Sequence, residues 1–351
     1  MDLERVFREH LSSWITQLGP EGDVVLSSRI RLARNLDDIL FPSVASEEQL
    51  LKGLAMADRF VAKSDRQFKL IRLAGIDEVS RQELVEKHLI SPEHAEASPV
   101  KGVIVSPAGD ISIMVNEEDH LRIQVLKAGL DLHEAYKLAD EIDDELAAAM
   151  PIAYSPKRGY LTACPTNVGT GLRASVMLHL PGVVYSGQTN QIAGICGKLG
   201  LVIRGLYGEG TAPSGEIFQV SNQVTLGYSE EEILTHLTSF CEQIIAEERR
   251  LRQYLWESKR DEFEDQVFRA LGTLSYARRM SSNEAMELLS RVKLGIDLGI
   301  IPKLNSVILK ELMVVIRPAL LQKIVGQTLG PQERDLTRAG LIRERLSQIN
   351  S

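Results

Sequence analysis

Arginines in this chain recur in short segments shared with small residues and carboxylates. There are four of them: SSRIR (Ser27 to Arg31), NEEDHLR (Asn116 to Arg122), CPTNVGTGLRAS (Cys164 to Ser175) and RGLYGEG (Arg204 to Gly210). In SSRIR the arginines are two residues apart, so on a strand Arg29 and Arg31 share one face and can grip the same polyanion. Taken alone, the pair reads better as solvated strand arginines. CPTNVGTGLRAS reads as a strand that passes through a glycine-containing loop into a helix, where backbone amides can approach phosphate while Arg173 adds charge. Four arginine-bearing segments say more than one, because phosphoryl transfer needs several cations around the nucleotide and the migrating group. Glu117, Glu118 and Asp119 follow a strand and precede His120 and Arg122, and Glu209 stands between Gly208 and Gly210. Consecutive acids also form solvated turns, and Glu209 alone is equally a loop carboxylate.

The composition narrows the setting for this chemistry. A chain of 351 residues, 44% hydrophobic and 25% charged, can bury a core and is long enough for two domains. Forty Lys and Arg against 48 Asp and Glu give a net charge of -8, which argues against a surface that coats nucleic acid. Cys164, Cys196 and Cys241 are scattered, with no CxxC pair to suggest zinc or a disulfide framework, and this reads as a reducing cytosol. The opening MDLERVFREHLSSW is charged, and VILKELMVVIRPALL is interrupted by Lys310, Glu311 and Arg317. Neither an export signal nor a membrane span is expected, and the location expected is cytoplasmic.

The elements that must position these residues change character along the chain. From about Val24 to Leu226, strand-like runs (VVLSSRIRL, FKLIRL, KGVIVS, DISIMVN, LRIQVLK, YLTAC, LVIRGL and EIFQVSNQVTL) alternate with helical segments, as in an α+β domain. KGVIVS and DISIMVN flank the turn PAG, which predicts a hairpin and a largely antiparallel sheet. Ser46 with Gln49, Ser80 with Glu83, Ser229 with Glu232 and Ser281 with Glu284 match the capping-box spacing, and Pro331 opens a last helix. From Ser229 onward strand-like runs cease. The expected division is an α+β domain over 1–228 and an all-α domain over 229–351.

Together the motifs SSRIR, KHL with His88, NEEDHLR, CPTNVGTGLR, and RGLYGEGT followed by SN and LG resemble the phosphagen kinases, the creatine and arginine kinase family, from about residue 21 to 250. The resemblance implies an antiparallel sheet flanked by helices and transfer of the γ-phosphoryl group of MgATP to a guanidinium nitrogen. It puts ATP against Ser27, Ser28, Arg29, Ile30 and Arg31, against Arg122, against Arg173, Ala174, Ser175, Val176 and Met177, and against Arg204, Gly205, Leu206, Tyr207, Gly208 and Glu209. His88 would contact the adenine. Glu118 and Glu209 would hold the acceptor guanidinium, with Glu118 as general base and Cys164 beside them, while Glu117 would reach Mg2+ through water. The chemistry is consistent, because a guanidinium with a pKa above about 12 is a poor nucleophile until it loses a proton to a positioned carboxylate. The hydroxyl of Thr166 could stabilise a thiolate at Cys164, although a small buried core cysteine is the plainer reading.

Two departures refine the resemblance. Metabolite-directed members carry a helical domain before the catalytic one, for which the sequence ahead of Ser27 leaves no room, and Gln219 stands where the family usually has an acid. With the added helical part, the whole chain resembles the bacterial protein arginine kinases. That family implies a homodimer, protein substrates marked for a Clp protease, an activator McsA and a repressor CtsR. RDLTRA matches its phosphoarginine-binding motif, giving Arg334, Asp335, Arg338 and Ala339 as a second site. On a helix Arg334 and Arg338 are one turn apart, and without the resemblance Asp335 and Arg338 would be a surface ion pair. Alternatives are a kinase of free arginine or another small guanidine, and a non-catalytic adaptor.

Overall fold

The computed structural model describes residues 7, 10–205, 214–302 and 304–347. In chain order the named elements are β1 (Val25–Arg34), α1 (Glu47–Lys63), β2 (Lys69–Arg72), α2 (Glu78–Glu86), β3 (Gly102–Val105), β4 (Ile111–Val115), β5 (Leu121–Ala128) and α3 (Leu132–Ala149). There follow a small hairpin of β6 (Tyr154–Ser155) and β7 (Gly159–Tyr160), then β8 (Leu172–His179), α4 (Pro181–Tyr185), α5 (Thr189–Lys198), β9 (Leu201–Gly205) and β10 (Ile217–Asn222). Helices α6 (Glu230–Ser258), α7 (Arg260–Tyr276), α8 (Ser282–Asp297), α9 (Ser306–Val315), α10 (Pro318–Val325) and α11 (Pro331–Ser347) complete the chain.

Eight strands form one sheet in the order β2-β3-β4-β5-β1-β8-β10-β9, and every neighbouring pair is antiparallel. The expected β3–β4 hairpin is present, with Val103 opposite Met114. Because side chains alternate along a strand, the sheet has two faces of different chemistry. On one face, Ile30, Ile123, Val125, Ala174 and Val176 are fully buried in a core shared with Leu54 and Phe60 of α1, Ala139 and Ile142 of α3, and Leu234 and Leu237 of α6. The other face carries the arginines. Beyond them it turns apolar at Leu126, Met177 and Ile217, which join a second core with Met286 and Leu289 of α8 and Met313 of α9. Phe7, Leu11, Trp14 and Ile15, at the opposite end of the chain, enter this second core as well.

Helix starts follow the capping chemistry with one shift. Ser46 with Gln49 and Ser229 with Glu232 close reciprocal boxes, and Ser281 accepts the Glu284 amide. Ser80, expected as a cap, instead lies in the first turn of α2, because the Asp77 carboxylate accepts its amide at 2.7 Å. Two strand expectations are also corrected. YLTAC leaves the small hairpin after Tyr160, and EIFQVSNQVTL ends as a strand at Asn222. CPTNVGTGLRAS does not lead into a helix. A 3-10 turn over Pro165–Asn167 runs through the glycines into β8, which lies between β1 and β10 and is buried from both sides.

Candidate active site

Adjacent antiparallel strands bring the dispersed arginines together. Arg31 of β1 lies opposite Arg173 of β8 on one side and Gln124 of β5 on the other, and Arg122 lies opposite Ala33, two residues along the same face. Arg29, Arg31, Arg122, Arg173 and Arg204 line one cleft of about 250 Å3 with His88, Ser91, Met114, Gln124, Gly205 and Gln219. Burial, with Arg173 and Arg122 nearby, draws Arg29 down to about 10, and burial among Arg29, Arg122 and Arg173 draws Arg31 well below its ordinary value. Guanidinium groups nevertheless stay charged at neutral pH, so these shifts reflect the burial of several like charges together, which a bound polyanion would offset. Among the described residues, Arg31 Nε has no hydrogen-bond partner.

The cleft is graded along its length. At one end Arg29 donates to Gln219 Oε1 at 2.7 Å and to Ser175 Oγ at 3.3 Å. The partner at this end is a neutral amide rather than a carboxylate. His88 has a left-handed backbone (φ 57°), its carbonyl accepts from Gln124 Nε2 at 2.6 Å, and its ring lies 5.9 Å from that of Trp14. Burial beside Arg29 and Arg317 holds the imidazole down to about 3, so it is neutral at pH 7. A neutral ring suits contact with a base better than contact with phosphate.

Carboxylates and a thiol gather at the other end. The Arg122 guanidinium reaches Glu117 Oε2 at 2.6 Å and Glu118 Oε2 at 3.1 Å, and the Ser91 hydroxyl donates to Glu117. The Glu117 side chain is only 9% exposed, whereas that of Glu118 is 46% exposed, which leaves it room to take another guanidinium. The neighbouring Asp119 is buried, and its Oδ1 accepts from Asn35 Nδ2 at 2.6 Å and from the Ala163 amide at 2.7 Å. Cys164, next along, is partly exposed, with Sγ 2.9 Å from the Thr166 hydroxyl. The Thr225 hydroxyl donates to the carbonyls of Thr166 and Val168, fixing that loop from below. Cys164 is therefore neither buried nor at a strand end.

The chain matches two family models, "ATP:guanido phosphotransferase, C-terminal catalytic domain" over residues 54–251 and "Protein-arginine kinase McsB C-terminal domain" over 260–351. A relative from Halothermothrix orenii named "Protein-arginine kinase" is 50% identical over 350 residues, covering 99% of this chain and 100% of that one, and one from Bacillus velezensis with the same name is 49% identical, covering 99% and 96%. The chain belongs to the protein-arginine kinases, within the ATP:guanido phosphotransferases. Among solved structures, the duplicated taurocyamine kinase from Schistosoma mansoni with bound transition state analog components is 27% identical. It matches at a TM-score of 0.59 over 67% of this chain and 35% of that one. Lombricine kinase, at 23% identity and a TM-score of 0.60 over 69% and 71%, shares the fold.

Other residues that the family resemblance named are spread more widely. Ile30, Ala174 and Val176 point into the core on the far face of the sheet. The Ser28 hydroxyl donates to the Gly129 carbonyl and accepts the Asp131 amide, while Ser27 and Met177 lie beside Arg29 at the inner end of the cleft. Leu206, Tyr207, Gly208 and Glu209 lie outside the described residues, although Arg204 and Gly205 lead to them from the cleft wall. Asp119 enters the sequence reading only as one of three consecutive acids, with no role of its own, and nothing in the motifs points to Asn35 or Ser91.

In this family member the RDLTRA segment lies on α11, away from the cleft. Arg338 is 2% exposed and donates to the carbonyls of Ile316 and Met280 at 2.8 and 2.9 Å and to Asp335 at 2.8 Å. Ala339 is also buried, while Arg334 and Asp335 remain partly exposed. Among the described residues, no cluster of three or more His, Cys, Asp or Glu could hold a metal ion, and no helix is long and apolar enough to cross a membrane. With Glu117 already engaged by Arg122 and Ser91, the donor set suits an ion carried largely by nucleotide phosphates and water.

Proposed function

We propose that this chain transfers the γ-phosphoryl group of ATP to arginine side chains of proteins. The observation that carries the reading is the junction of a five-arginine cleft with the exposed Glu118 carboxylate, in a chain whose relatives along its full length are named protein-arginine kinases. Arg29, Arg31, Arg122, Arg173 and Arg204 bind the triphosphate and compensate the charge that spreads over the migrating group. His88 sits against the adenine. Mg2+, when bound, would be held chiefly by the nucleotide with Glu117 as its nearest protein carboxylate, and would supply positive charge that offsets charge on the phosphates.

Glu118, with Glu209, holds the planar acceptor guanidinium through paired hydrogen bonds. As the nitrogen attacks phosphorus in line, the bond from phosphorus to the bridging oxygen breaks, the P–N bond forms and the guanidinium proton passes to Glu118. ADP departs with its charge held by the arginines. Glu118 Oε2 lies 3.1 Å from Arg122 Nη2, so the carboxylate already accepts from one guanidinium while its exposed side is open to another. Cys164, paired with Thr166, adds a polarisable group beside the acceptor.

The remaining roles follow from the family. They are a homodimer, a cytoplasmic location, an activator McsA, action on the repressor CtsR, delivery of marked proteins to a Clp protease, and a phosphoarginine site at Arg334 and Asp335, with the buried Arg338 and Ala339 supporting them from behind. The division into a catalytic part over 1–228 and a helical part over 229–351 belongs to the same proposal. The test is incubation with MgATP and either a folded client protein or free arginine, followed by mass spectrometry under non-acidic conditions, because the P–N bond is acid-labile. Phosphoarginine in the protein supports the reading. Phosphorylation of free arginine alone would assign the chain to small guanidines, and absence of ATP turnover would leave an adaptor.

A further inference from the structure

Glu86 ends α2, two residues before His88, and its carboxylate crosses to the helical region. Oε1 accepts the Ala319 amide at 2.9 Å, and Oε2 accepts the amides of Ala319 and Leu320 at 3.0 and 2.7 Å. These amides open α10, directly after Pro318, and a helix start leaves such N–H groups without partners of its own. A second link runs between the same helices, where Lys323 Nζ donates to Ser80 Oγ at 2.6 Å and lies 3.6 Å from Asp77. Burial pushes the Glu86 carboxyl up, while the two amides and Arg317 pull it back. A small cavity of about 30 Å3 is lined by Glu86 and His88 together with Met286, Met313 and Arg317 of the helical region.

The turn that brings His88 to the cleft is therefore backed by two parts of the chain. From the sheet side, Gln124 holds only the carbonyl of His88. The left-handed backbone of His88 closes the end of α2, where the Leu89 amide donates to the Leu84 carbonyl at 2.9 Å, so the orientation of His88 follows that of the helix end. We infer that Glu86 is a positioning residue for nucleotide binding, holding His88 against the base by fastening its turn to the start of α10. This rests on the reading of the cleft as the ATP site. The phosphate arginines stand on β1, β5, β8 and β9 and do not depend on α10. The clamp should govern the base and leave the phosphates alone.

The experiment compares wild type, Glu86→Ala, Glu86→Gln and Glu86→Asp by calorimetric titration with ADP and, separately, with inorganic tripolyphosphate, alongside KM and kcat for MgATP. Loss of these charge-assisted bonds should weaken ADP by about tenfold in Glu86→Ala and raise KM for MgATP in parallel. Tripolyphosphate affinity and kcat should stay within about twofold. Glu86→Gln, which keeps an acceptor oxygen but no charge, should fall between, and Glu86→Asp should recover part of the loss. If Glu86→Ala does not fold, Glu86→Gln carries the same comparison. Unchanged ADP affinity, or ADP and tripolyphosphate weakening together, overturns the clamp. A wild type that binds tripolyphosphate but shows no added affinity for ADP, or binds neither, overturns the nucleotide reading itself and the clamp with it.

Discussion

Asp119 Oδ1 accepts the backbone amide of Ala163 at 2.7 Å, so one buried acid joins the turn carrying Glu118 to the loop carrying Cys164. The same oxygen accepts from Asn35, which anchors both loops to the end of β1. In Asp119→Ala the Ala163 amide and the Asn35 side chain would lose their acceptor, at a cost of roughly 1–3 kcal/mol each where water cannot replace it. The expected result is a lower melting temperature and a reduced kcat with ADP affinity near wild type. A variant whose ADP affinity falls as far as its rate would show that Asp119 supports the whole cleft instead.

Glu118→Gln should reduce transfer on the order of 10²–10⁴-fold, the usual contribution of a positioned general base, while ADP binding is largely kept. Glu209→Gln is expected to behave alike. Cys164→Ala should be milder than either, because a neighbour that tunes the guanidinium is not the proton acceptor. Steady-state rates with ADP titrations alongside provide the check, and a Cys164→Ala loss equal to that of Glu118→Gln would contradict the assignment.

The arginine cleft predicts a different pattern. Arg29→Ala, Arg122→Ala, Arg173→Ala and Arg204→Ala should each lower the rate by about 10²-fold or more, since each removes charge facing the migrating phosphoryl group. Arg31→Lys should also fail to restore full activity, because an ammonium cannot reproduce the planar fork of donors. Near-normal kcat/KM in several of these variants would remove the phosphate role from the cleft.

How much of this was legible in the sequence depended on whether the signal was local. The alternation of Arg29 and Arg31 on one strand face, the β3–β4 hairpin and the caps at Ser46 and Ser229 follow from short-range rules, and the structure has them. LRASVMLH is harder, since an apolar run buried on both faces shows neither clean alternation nor a helical stripe, and after a glycine-containing loop it reads as a helix. Ser80 was displaced by a stronger competitor three residues earlier, Asp77. The bonds from Asp119 to Ala163 and from Glu86 to Ala319 span 44 and 233 residues, and no window of sequence contains both ends. The motifs identified the reactive groups, while the residues that hold them became visible only in three dimensions.

Buried histidines predict an acid limit to stability. Burial lowers His120 to about 4 and His179 well below the usual imidazole value, and both are fully buried. A depressed folded-state pKa means that the unfolded chain binds more protons below about pH 6.5, so the stabilising contribution is complete above that pH and is lost as pH falls towards 4. Each histidine contributes a slope of roughly 1.4 kcal/mol per pH unit in that window. Asp119, Glu86 and Glu216, held up by burial, act in the opposite sense, so the net slope is smaller than the sum. Denaturant melts of wild type and His120→Gln between pH 7 and 4.5 should show a flatter dependence in the variant. Identical slopes would exclude His120 as a contributor.

The α11 segment yields the last prediction, and the structure divides its residues into two roles. Arg338 is an internal tie, holding the carbonyls of Ile316 and Met280 just ahead of α10 and α8, so Arg338→Ala should cost roughly 1–3 kcal/mol for each buried carbonyl left without a partner. Arg334 and Asp335 are partly exposed and offer a cationic donor to phosphate and an acceptor to a guanidinium, as a zwitterionic ligand requires. The double variant Arg334→Ala, Asp335→Ala should therefore lose phosphoarginine binding in a direct titration while its melting temperature falls less than that of Arg338→Ala. Basal transfer to a protein substrate should persist, because no arginine of the cleft is altered. Activation that depends on autophosphorylation should be weakened in the same variant. Unchanged phosphoarginine affinity would reduce the motif to the Arg338–Asp335 ion pair and its backbone ties, and leave α11 with a purely architectural part in the second core.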